Sequence, residues 1–280
     1  MSLEKPASER KSRSRLERKL TVLKLGGSVI TVKENPKTPN IQAIQRLANE
    51  IIRAKIRNLI VVHGGGSFGH PLADQYSIKE GFKKKTQIEG FSLTHQAMLE
   101  LNKLVVDAFI RQGIPAFAIS PSSCIITEAG RIKIFYNSPL AKLLAMGCVP
   151  VLFGDAILDT EIGFTILSGD QLVSALATRF NADKIVLGVD VDGLYPRDPK
   201  TGSSKGLIEQ ITLRKLKNMM VDIGRAKTVD VTGGMLGKIS ELIPAITCDV
   251  QALIVNASKQ DNVYKALKGE TVVGTLIRKK

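Results

Sequence analysis

The chain of 280 residues contains no tryptophan, and aromatic residues make up only 5% of it. This scarcity argues against a sugar site built from an aromatic cage and against a surface on which nucleic-acid bases stack. Cysteine is also rare: Cys124, Cys148 and Cys248 each lie in an apolar stretch, and no two form a CxxC pair. We therefore expect free thiols in the reducing cytoplasm rather than a disulfide framework or a zinc site.

Long apolar runs are missing as well. No run reaches 18 residues, so the sequence predicts no membrane-spanning helix. The basic N-terminus is not followed by an apolar segment, which distinguishes it from a secretory signal. We expect residues 1–19 to form a disordered, solvated tail, with a basic amphipathic helix over residues 12–20 as the alternative. The rest of the chain, 20–280, is predicted to be a single domain.

Positive charge is in excess, with 40 Lys and Arg against 26 Asp and Glu, a formal net charge of +14. Such a balance suits a nucleic acid, an anionic membrane surface or a small anionic substrate. The chain carries no recognisable nucleic-acid-binding motif, which favours the small anionic substrate. A basic protein that binds nucleic acid or acts as a regulator remains the alternative from a different class.

Short apolar runs that end at glycine alternate with helical patterns along the chain. This alternation predicts an α/β fold, a three-layer sandwich with a mainly parallel central sheet covered by helices on both faces. The predicted strands are 20–25, 58–62, 113–119, 148–153, 184–189, 252–255 and 274–277, and the segments 131–134 and 164–166 are predicted to be parts of hairpins. The predicted helices are 40–54, 88–111, 138–146, 168–180, 213–223, 237–246 and 261–267.

Four glycine motifs follow strands or begin helices: Gly26-Gly27, Gly64-Gly65-Gly66, Gly169 and Gly233-Gly234. In a parallel sheet, ligands bind beyond the carboxyl ends of the strands. Glycine lets the backbone approach a ligand closely, and successive N–H groups at a helix start hold an anion. Neither GxxxxGK[ST] nor a correctly placed GxGxxG occurs, so the sequence predicts a phosphate site of another kind.

Five motifs in this order resemble the amino acid kinase family, over about residues 20 to 278. They are KLGGS (24–28), HGGGSFGH (63–70), SGD (168–170), DVDGLY (190–195) and TGGMLGK (232–238). The extended form GGGSFGH, together with Lys33 nine residues after Lys24, is similar to the isopentenyl phosphate kinase group of that family.

The resemblance implies that ATP, with Mg²⁺, phosphorylates isopentenyl phosphate to isopentenyl diphosphate in isoprenoid biosynthesis, within the mevalonate pathway. It implies a cytoplasmic homodimer whose substrate is a small phosphate with a short apolar tail. Residues 20–180 would form the acceptor-binding lobe, and residues 181–280 the nucleotide-binding lobe.

Roles for single residues also follow from the resemblance. Lys24 would contact the transferring phosphoryl group, Lys238 the ATP phosphates, and Lys33 the acceptor side. Asp170 would orient Lys24 and Lys238, and His70 would hydrogen-bond the acceptor's own phosphate. Residues implied to bind the acceptor through their backbone are Gly65, Gly69 and Gly169. Residues implied on the nucleotide side or along the path of the transferred group are Lys24, Gly26, Gly27, Ser28, Gly66, Asp190, Tyr195, Asp198, Gly234 and Lys238.

The chemistry of a phosphate acceptor agrees with these implied residue roles. Phosphate oxygens are ionised at neutral pH, so no strong base is needed, and the obstacle is repulsion between two anions. Lysines, backbone N–H groups and magnesium provide the positive charge and the positioning that this reaction requires. An amino acid acceptor would instead need a site for its ammonium group. A fosfomycin-like phosphonate, or another small phosphate, remains the rival acceptor.

Other interpretations stay open for several residues. Lys33 also fits a solvated loop charge, and His63 is expected to be structural. Asp155 could brace a loop, and Asp159 and Asp192 could be turn residues. Residues that could line a pocket for a hydrocarbon tail, or could simply pack in the core, are Phe82, Phe91, His95, Met98 and Leu99.

Overall fold

The computed structural model describes residues 19–195, 206–225 and 235–280. Its strands are β1 Leu20–Leu25, β2 Asn58–His63, β3 Ala116–Ala118, β4 Ile125–Glu128, β5 Arg131–Phe135, β6 Val149–Phe153, β7 Asp155–Asp159, β8 Gly163–Leu167, β9 Lys184–Val189, β10 Gln210–Thr212, β11 Gln251–Asn256 and β12 Gly274–Arg278. Its α-helices are α1 Gly27–Ile30, α2 Ile41–Ala54, α3 Gly66–Gln75, α4 Thr86–Arg111, α5 Ser138–Ala145, α6 Gly169–Arg179, α7 Leu213–Arg225, α8 Met235–Thr247 and α9 Asn262–Lys268.

Eight strands form one large sheet in the order β10-β12-β11-β9-β1-β2-β6-β3. The pairs β1–β2, β1–β9, β9–β11, β2–β6 and β6–β3 are all parallel, and β12 runs antiparallel to β11. This confirms the mainly parallel sheet. Because β1 is a central strand, both of its neighbours end at the same edge as it does.

Helices cover both faces of this sheet, as the alternating sequence pattern predicts. Side chains of β1 alternate between the two faces: Val22 packs in a core with α6 and α8, whereas Leu23 packs in a core with α2, α4 and α9. Lys24 follows the same alternation, so it lies on the face that α6 covers.

A local signal fixes the start of α2. The side chain of Asn40 accepts a hydrogen bond from Ala43 N at 3.1 Å, as expected for an N-cap. The helix ends at Lys55, whose φ of 51° is left-handed. A buried apolar stripe that includes Ile44, Leu47 and Ile51 fastens α2 to the sheet.

A second sheet of four strands, β5-β4-β7-β8, was predicted only in part. The segments expected to form hairpins became β5 and β8, but β4 and β7 were missed. Only Gly154 separates β6 from β7, and a glycine after an apolar run predicts the end of a strand rather than the start of another. This second sheet contributes one wall of the site described below.

The segment after Gly64 and Gly65 was not among the predicted helices. Residues 66–75 form α3, which contains Pro71. A proline lacks an N–H and so leaves the carbonyl four residues earlier, at Ser67, without its helical partner. Lys37 N donates to that carbonyl at 2.9 Å instead, which allows the helix to contain the proline. Among the described helices, none is long and apolar enough to cross a membrane.

Candidate active site

A buried ion pair joins the end of β1 to the start of α6. The side chain of Lys24 leaves the sheet toward α6, and its Nζ lies 2.5 Å from Asp170 Oδ1. The residue Lys24 is only 4% exposed and Asp170 only 7%. Lys238 Nζ, from α8, lies 3.3 Å from the other carboxylate oxygen of Asp170. One carboxylate therefore holds two lysines from different elements at one place.

Burial and charge shift the pKa values of this group in opposite ways. Burial lowers the pKa of Lys24 to about 8, although the charge of Asp170 acts to raise it. Burial acts to raise the pKa of Asp170, but Lys24 and Lys238 together hold that pKa below its ordinary value. The carboxylate therefore stays ionised, and the lysine charge beside it is maintained mainly by that carboxylate.

Two glycine turns meet backbone to backbone beside these charges. Gly26 N donates to Gly188 O at 2.8 Å, and Gly64 N donates to Leu25 O at 2.9 Å, so both turns continue the sheet. A Cβ atom at Gly27 would overlap the backbone nitrogen of Gly66. No residue other than glycine fits at Gly27 without moving the turns apart.

A cleft lies at this edge of the sheet, with about 600 Å³ of empty space when the open solvent at its mouth is included. Its charged and backbone-rich lining residues are Lys24, Gly27, Gly64, Gly65, Gly69, His70, Gly154, Ser168, Gly169, Asp170 and Lys238. Its other lining residues are Ala73, Thr94, Met98, Asp155, Ile166 and Leu167. The cavity thus combines two lysines and several glycines with apolar side chains, a lining that suits an anionic head with a short apolar tail.

His70 lies on α3 and lines the cavity; part of the residue is exposed to solvent, while surrounding protein atoms partly desolvate its ring. The pKa of its imidazole is lowered, first by burial of the ring and then by the charge of Lys238. A neutral imidazole beside two lysines can still donate one N–H to an anionic ligand.

His63 has a structural role, as the sequence analysis predicted. Its ring is fully buried and stacks on Phe153 with centroids 5.6 Å apart, and its Nδ1 lies 3.1 Å from Gly64 O. Burial lowers its pKa to about 4, so the ring is neutral. It supports the glycine turn from beneath.

His95 and Asp155 form a contact that sequence patterns left unresolved. His95 Nδ1 lies 2.8 Å from Asp155 Oδ1, and the Asp155 side chain has no exposed surface. The hydrogen bond to Asp155 raises the pKa of His95. This pair ties α4 to β7 across the wall of the cavity, so Asp155 braces the wall.

Several predicted residues lie away from the cavity lining. Lys33 is in an exposed turn, Ser28 is exposed on α1, and Asp190 is exposed just after β9. Tyr195 is half-buried, and Gly26 and Gly66 lie beside the lining residues in the glycine turns. Asp198 and Gly234 lie outside the described residues, as do residues 1–18 of the basic tail. The roles of all these residues remain predictions.

Among the candidates for contact with a hydrocarbon tail, Met98 lines the cavity. Phe91 and Phe82 instead pack around Phe164, with centroids 4.8 Å and 5.7 Å from it, and Leu99 packs in the core. Lining residues that sequence reasoning missed are Ala73, Thr94, Gly154, Ile166 and Leu167. Gly154 alone carried a signal, because it directly follows a strand.

Comparison with known proteins agrees with this geometry. The chain matches the model of the amino acid kinase family over residues 19–256. It is 40% identical to an isopentenyl phosphate kinase of Methanothermobacter thermautotrophicus, over 92% of this chain and 98% of that protein. It is 37% identical to one of Methanocaldococcus jannaschii, again over 92% and 98%.

A solved structure of an isopentenyl phosphate kinase superposes with a TM-score of 0.81 at 37% identity, covering 92% of this chain and 99% of that one. A UMP kinase from Ureaplasma parvum, 15% identical with a TM-score of 0.61, shares the fold. The extent of these matches shows that this chain belongs to the amino acid kinase family.

Proposed function

We propose that this chain transfers the γ-phosphoryl group of ATP to isopentenyl phosphate, giving isopentenyl diphosphate and ADP. One observation carries the proposal: a single cavity is lined both by the Lys24–Asp170–Lys238 group and by the apolar side chains of Ala73, Met98, Ile166 and Leu167. The names of the most similar relatives support the same acceptor. The product would enter isoprenoid biosynthesis.

The positive charges of the lysines would reduce the repulsion between the two phosphate anions, which is the main obstacle to this reaction. Lys24 would contact the transferring phosphoryl group, and Lys238 would contact the ATP phosphates. Asp170 holds both ammonium groups in place before any substrate binds, so little reorganisation is needed when negative charge spreads in the transition state. The acceptor phosphate is already ionised and serves as its own nucleophile.

His70 and the glycine turns would hold the acceptor's phosphate. Its imidazole would donate one N–H, and backbone N–H groups of Gly65 and Gly169 would add further donors near the starts of α3 and α6. Gly69 N already donates to Gly65 O at 3.2 Å, so Gly69 would contribute only close approach of the backbone. The hydrocarbon tail would then lie against the apolar lining residues, near Met98. Lys33 would add positive charge on the acceptor side.

The family also implies magnesium. Both carboxylates that line the cavity are already bonded within the protein, Asp170 to two lysines and Asp155 to His95. Mg²⁺ is commonly held by substrate phosphates and water with few protein carboxylates. The cavity therefore fits a magnesium ion that arrives with ATP, where it would neutralise charge on the phosphate oxygens.

We further propose a cytoplasmic homodimer, with the acceptor held by residues 20–180 and the nucleotide by residues 181–280. Phe117, on the edge strand β3, is about half exposed at 51%, which suits contact with a second copy. Light scattering of the purified protein measures the mass directly, and a monomer at micromolar concentration would contradict this assembly.

A panel of acceptors tests the proposed activity. Purified protein is incubated with ATP and Mg²⁺, and ADP formation is measured with isopentenyl phosphate, dimethylallyl phosphate, fosfomycin and acetylglutamate. We expect the highest kcat/KM with isopentenyl phosphate. Equal or faster turnover of fosfomycin or acetylglutamate would reject this acceptor, and salt-sensitive RNA binding without ATP turnover would reject the kinase function altogether.

A further inference from the structure

The hydroxyl group of Thr31 connects the two glycine turns. Thr31 Oγ1 donates to Gly27 O at 2.8 Å and accepts from Ser67 N at 3.0 Å. Gly27 belongs to the turn after β1, and Ser67 to the turn after β2. We call this arrangement, the Thr31 hydroxyl with Gly27 O and Ser67 N, the Thr31 bridge.

The Thr31 bridge lies where the turns are packed most tightly. Thr31 is 2% exposed and Ser67 is 5% exposed. A Cβ atom at Gly66, whose φ is +47°, would overlap both Thr31 Oγ1 and the carbonyl oxygen of Gly27. The hydroxyl thus fills the space that the glycine leaves free.

Ser67 joins the same turn to the segment that carries Lys33. Ser67 Oγ donates to Thr38 O at 3.3 Å, and Lys37 N donates to Ser67 O at 2.9 Å. The second bond exists because Pro71 has no N–H for that carbonyl. Val32 N donates to Thr38 O at 2.9 Å, which closes the segment into a compact loop. Ser67 is part of the GGGSFGH motif, but none of the acceptor-binding roles proposed above includes it.

These contacts have a chemical consequence. In the proposed function, the turn at Gly27 would lie beside the transferring phosphoryl group, and Gly65, in the other turn, would bind the acceptor's phosphate. Phosphoryl transfer depends on the separation and alignment of these two groups, and small displacements lower the rate steeply. A buried hydroxyl that bonds both turns at once fixes their separation.

We propose that Thr31 is a positioning residue for phosphoryl transfer, because its hydroxyl sets the distance between the two turns. This inference rests on the proposed kinase function, and the two fail differently. A wrong acceptor leaves the wild-type enzyme without turnover of isopentenyl phosphate. A wrong role for Thr31 leaves turnover intact in a variant that lacks the hydroxyl.

The test compares Thr31→Val with Thr31→Ser. Valine has nearly the same shape but no hydroxyl, whereas serine keeps the hydroxyl. We expect Thr31→Val to lower kcat about 10- to 100-fold, as a displacement of reacting groups does. We expect Thr31→Ser to stay within about threefold of wild type, and both KM values of Thr31→Val to change by no more than about threefold.

Thr127→Val is the matched control. Thr127 is fully buried in β4, and its hydroxyl donates to Leu158 O at 3.1 Å, far along the chain from either turn. We expect this variant to lose thermal stability and to keep the wild-type kcat. A Thr31→Val enzyme with kcat within about threefold of wild type, or a Thr31→Ser enzyme as slow as Thr31→Val, would overturn the proposal.

Amide hydrogen exchange of the wild-type protein gives a readout that needs neither a variant nor turnover. The Ser67 amide lies in the first turn of α3, where N–H groups have no helical partner and exchange readily. The Thr31 bridge predicts strong protection at this amide. Exchange as fast as that of an exposed loop amide would show that the bridge is not maintained in solution.

Discussion

Lys24 Nζ and Asp170 Oδ1 lie 2.5 Å apart, although 146 residues separate them in the chain. The lysine comes from a central strand that is mostly apolar, and the aspartate from the first turn of α6. Asp170 also lies 3.3 Å from Lys238. A carboxylate shared in this way holds the two ammonium groups in place, and its charge favours the protonated form of Lys24.

The first prediction concerns pH. In the free enzyme the pKa of Lys24 is about 8, and the charge of Asp170 acts to raise it. We therefore expect kcat/KM to fall above about pH 8. Asp170→Asn removes the charge that favours protonated Lys24, so the pKa of Lys24 falls further and the alkaline limb moves to lower pH. A profile of kcat/KM between pH 6 and about 10 measures this shift.

Asp249→Asn provides the control for that profile. Asp249 pairs with Lys279 at 3.0 Å on the surface, away from the cavity, so its substitution should leave the limb in place. If the alkaline limb does not move in Asp170→Asn, deprotonation of Lys24 is not the cause of that limb.

The second prediction concerns Lys24 itself. Lys24→Met keeps a long side chain but removes the charge, and we expect kcat to fall by about 10²-fold or more, the scale for one electrostatic contact in a transition state. Lys184→Met is the matched control on the neighbouring strand β9, where Lys184 Nζ donates to Ala266 O and Leu267 O. This control should lose stability and retain kcat. Near-wild-type kcat in Lys24→Met would remove Lys24 from the mechanism.

The third prediction concerns His70 as a donor to the acceptor phosphate. We expect His70→Ala to raise KM for isopentenyl phosphate about 10-fold or more, because a hydrogen bond to a charged group is lost. KM for ATP should change little. His70→Gln keeps an N–H donor and should recover part of the affinity. A change confined to ATP affinity would instead assign His70 to the nucleotide.

The fourth prediction concerns the contact between the glycine turns. Gly27→Ala places a Cβ against the backbone nitrogen of Gly66, so the turns must separate. We expect kcat to fall about 10²-fold through misplacement of the reacting groups. In contrast, Gly206 faces open space with an ordinary backbone conformation, so Gly206→Ala should behave as wild type. Steady-state kinetics on both variants makes the comparison, and equal activity would mean that the turns tolerate separation.

The fifth prediction concerns stability. Glu50 is 1% exposed, its Oε2 accepts from Val263 N and Tyr264 N at 3.1 Å, and its Oε1 pairs with Arg46. It thus caps α9 from α2. We expect Glu50→Ala to lower the free energy of unfolding by about 3 kcal/mol, as breaking a buried pair does.

Denaturant unfolding measures that loss. Glu100 pairs with Lys37 at 3.7 Å with about half of each side chain exposed, so Glu100→Ala should cost less than about 1 kcal/mol. A Glu50 variant as stable as the Glu100 variant would mean that water can replace Glu50 as the hydrogen-bond acceptor for the first N–H groups of α9.

Local patterns were sufficient to predict most of the fold. The β1 run ends at Gly26 and the SGD motif begins α6, so Lys24 and Asp170 could both be placed at one edge of a parallel sheet before any contact was known. Asn40 could be identified as a cap for the same reason, because its partner Ala43 is only three residues away.

Contacts between distant segments could not be predicted in this way. His95 and Asp155 are 60 residues apart in the chain, and no local sequence pattern around either residue indicates that the two are in contact. The apolar lining of the cavity includes Ala73, Met98 and Ile166, which lie on three separate elements. The helix through Pro71 depends on a donor from Lys37, so only the tertiary structure explains it.

The position of β1 at the centre of the sheet also sets an order of events during synthesis. β2 follows β1 within 40 residues or so of chain growth, but its other neighbour, β9, ends only at Val189. Parallel strands so far apart in sequence pair slowly, after long loops have closed. Asp170 is synthesised 146 residues after Lys24, and Lys238 later still. The three charged groups can therefore meet only after the chain has grown past residue 238.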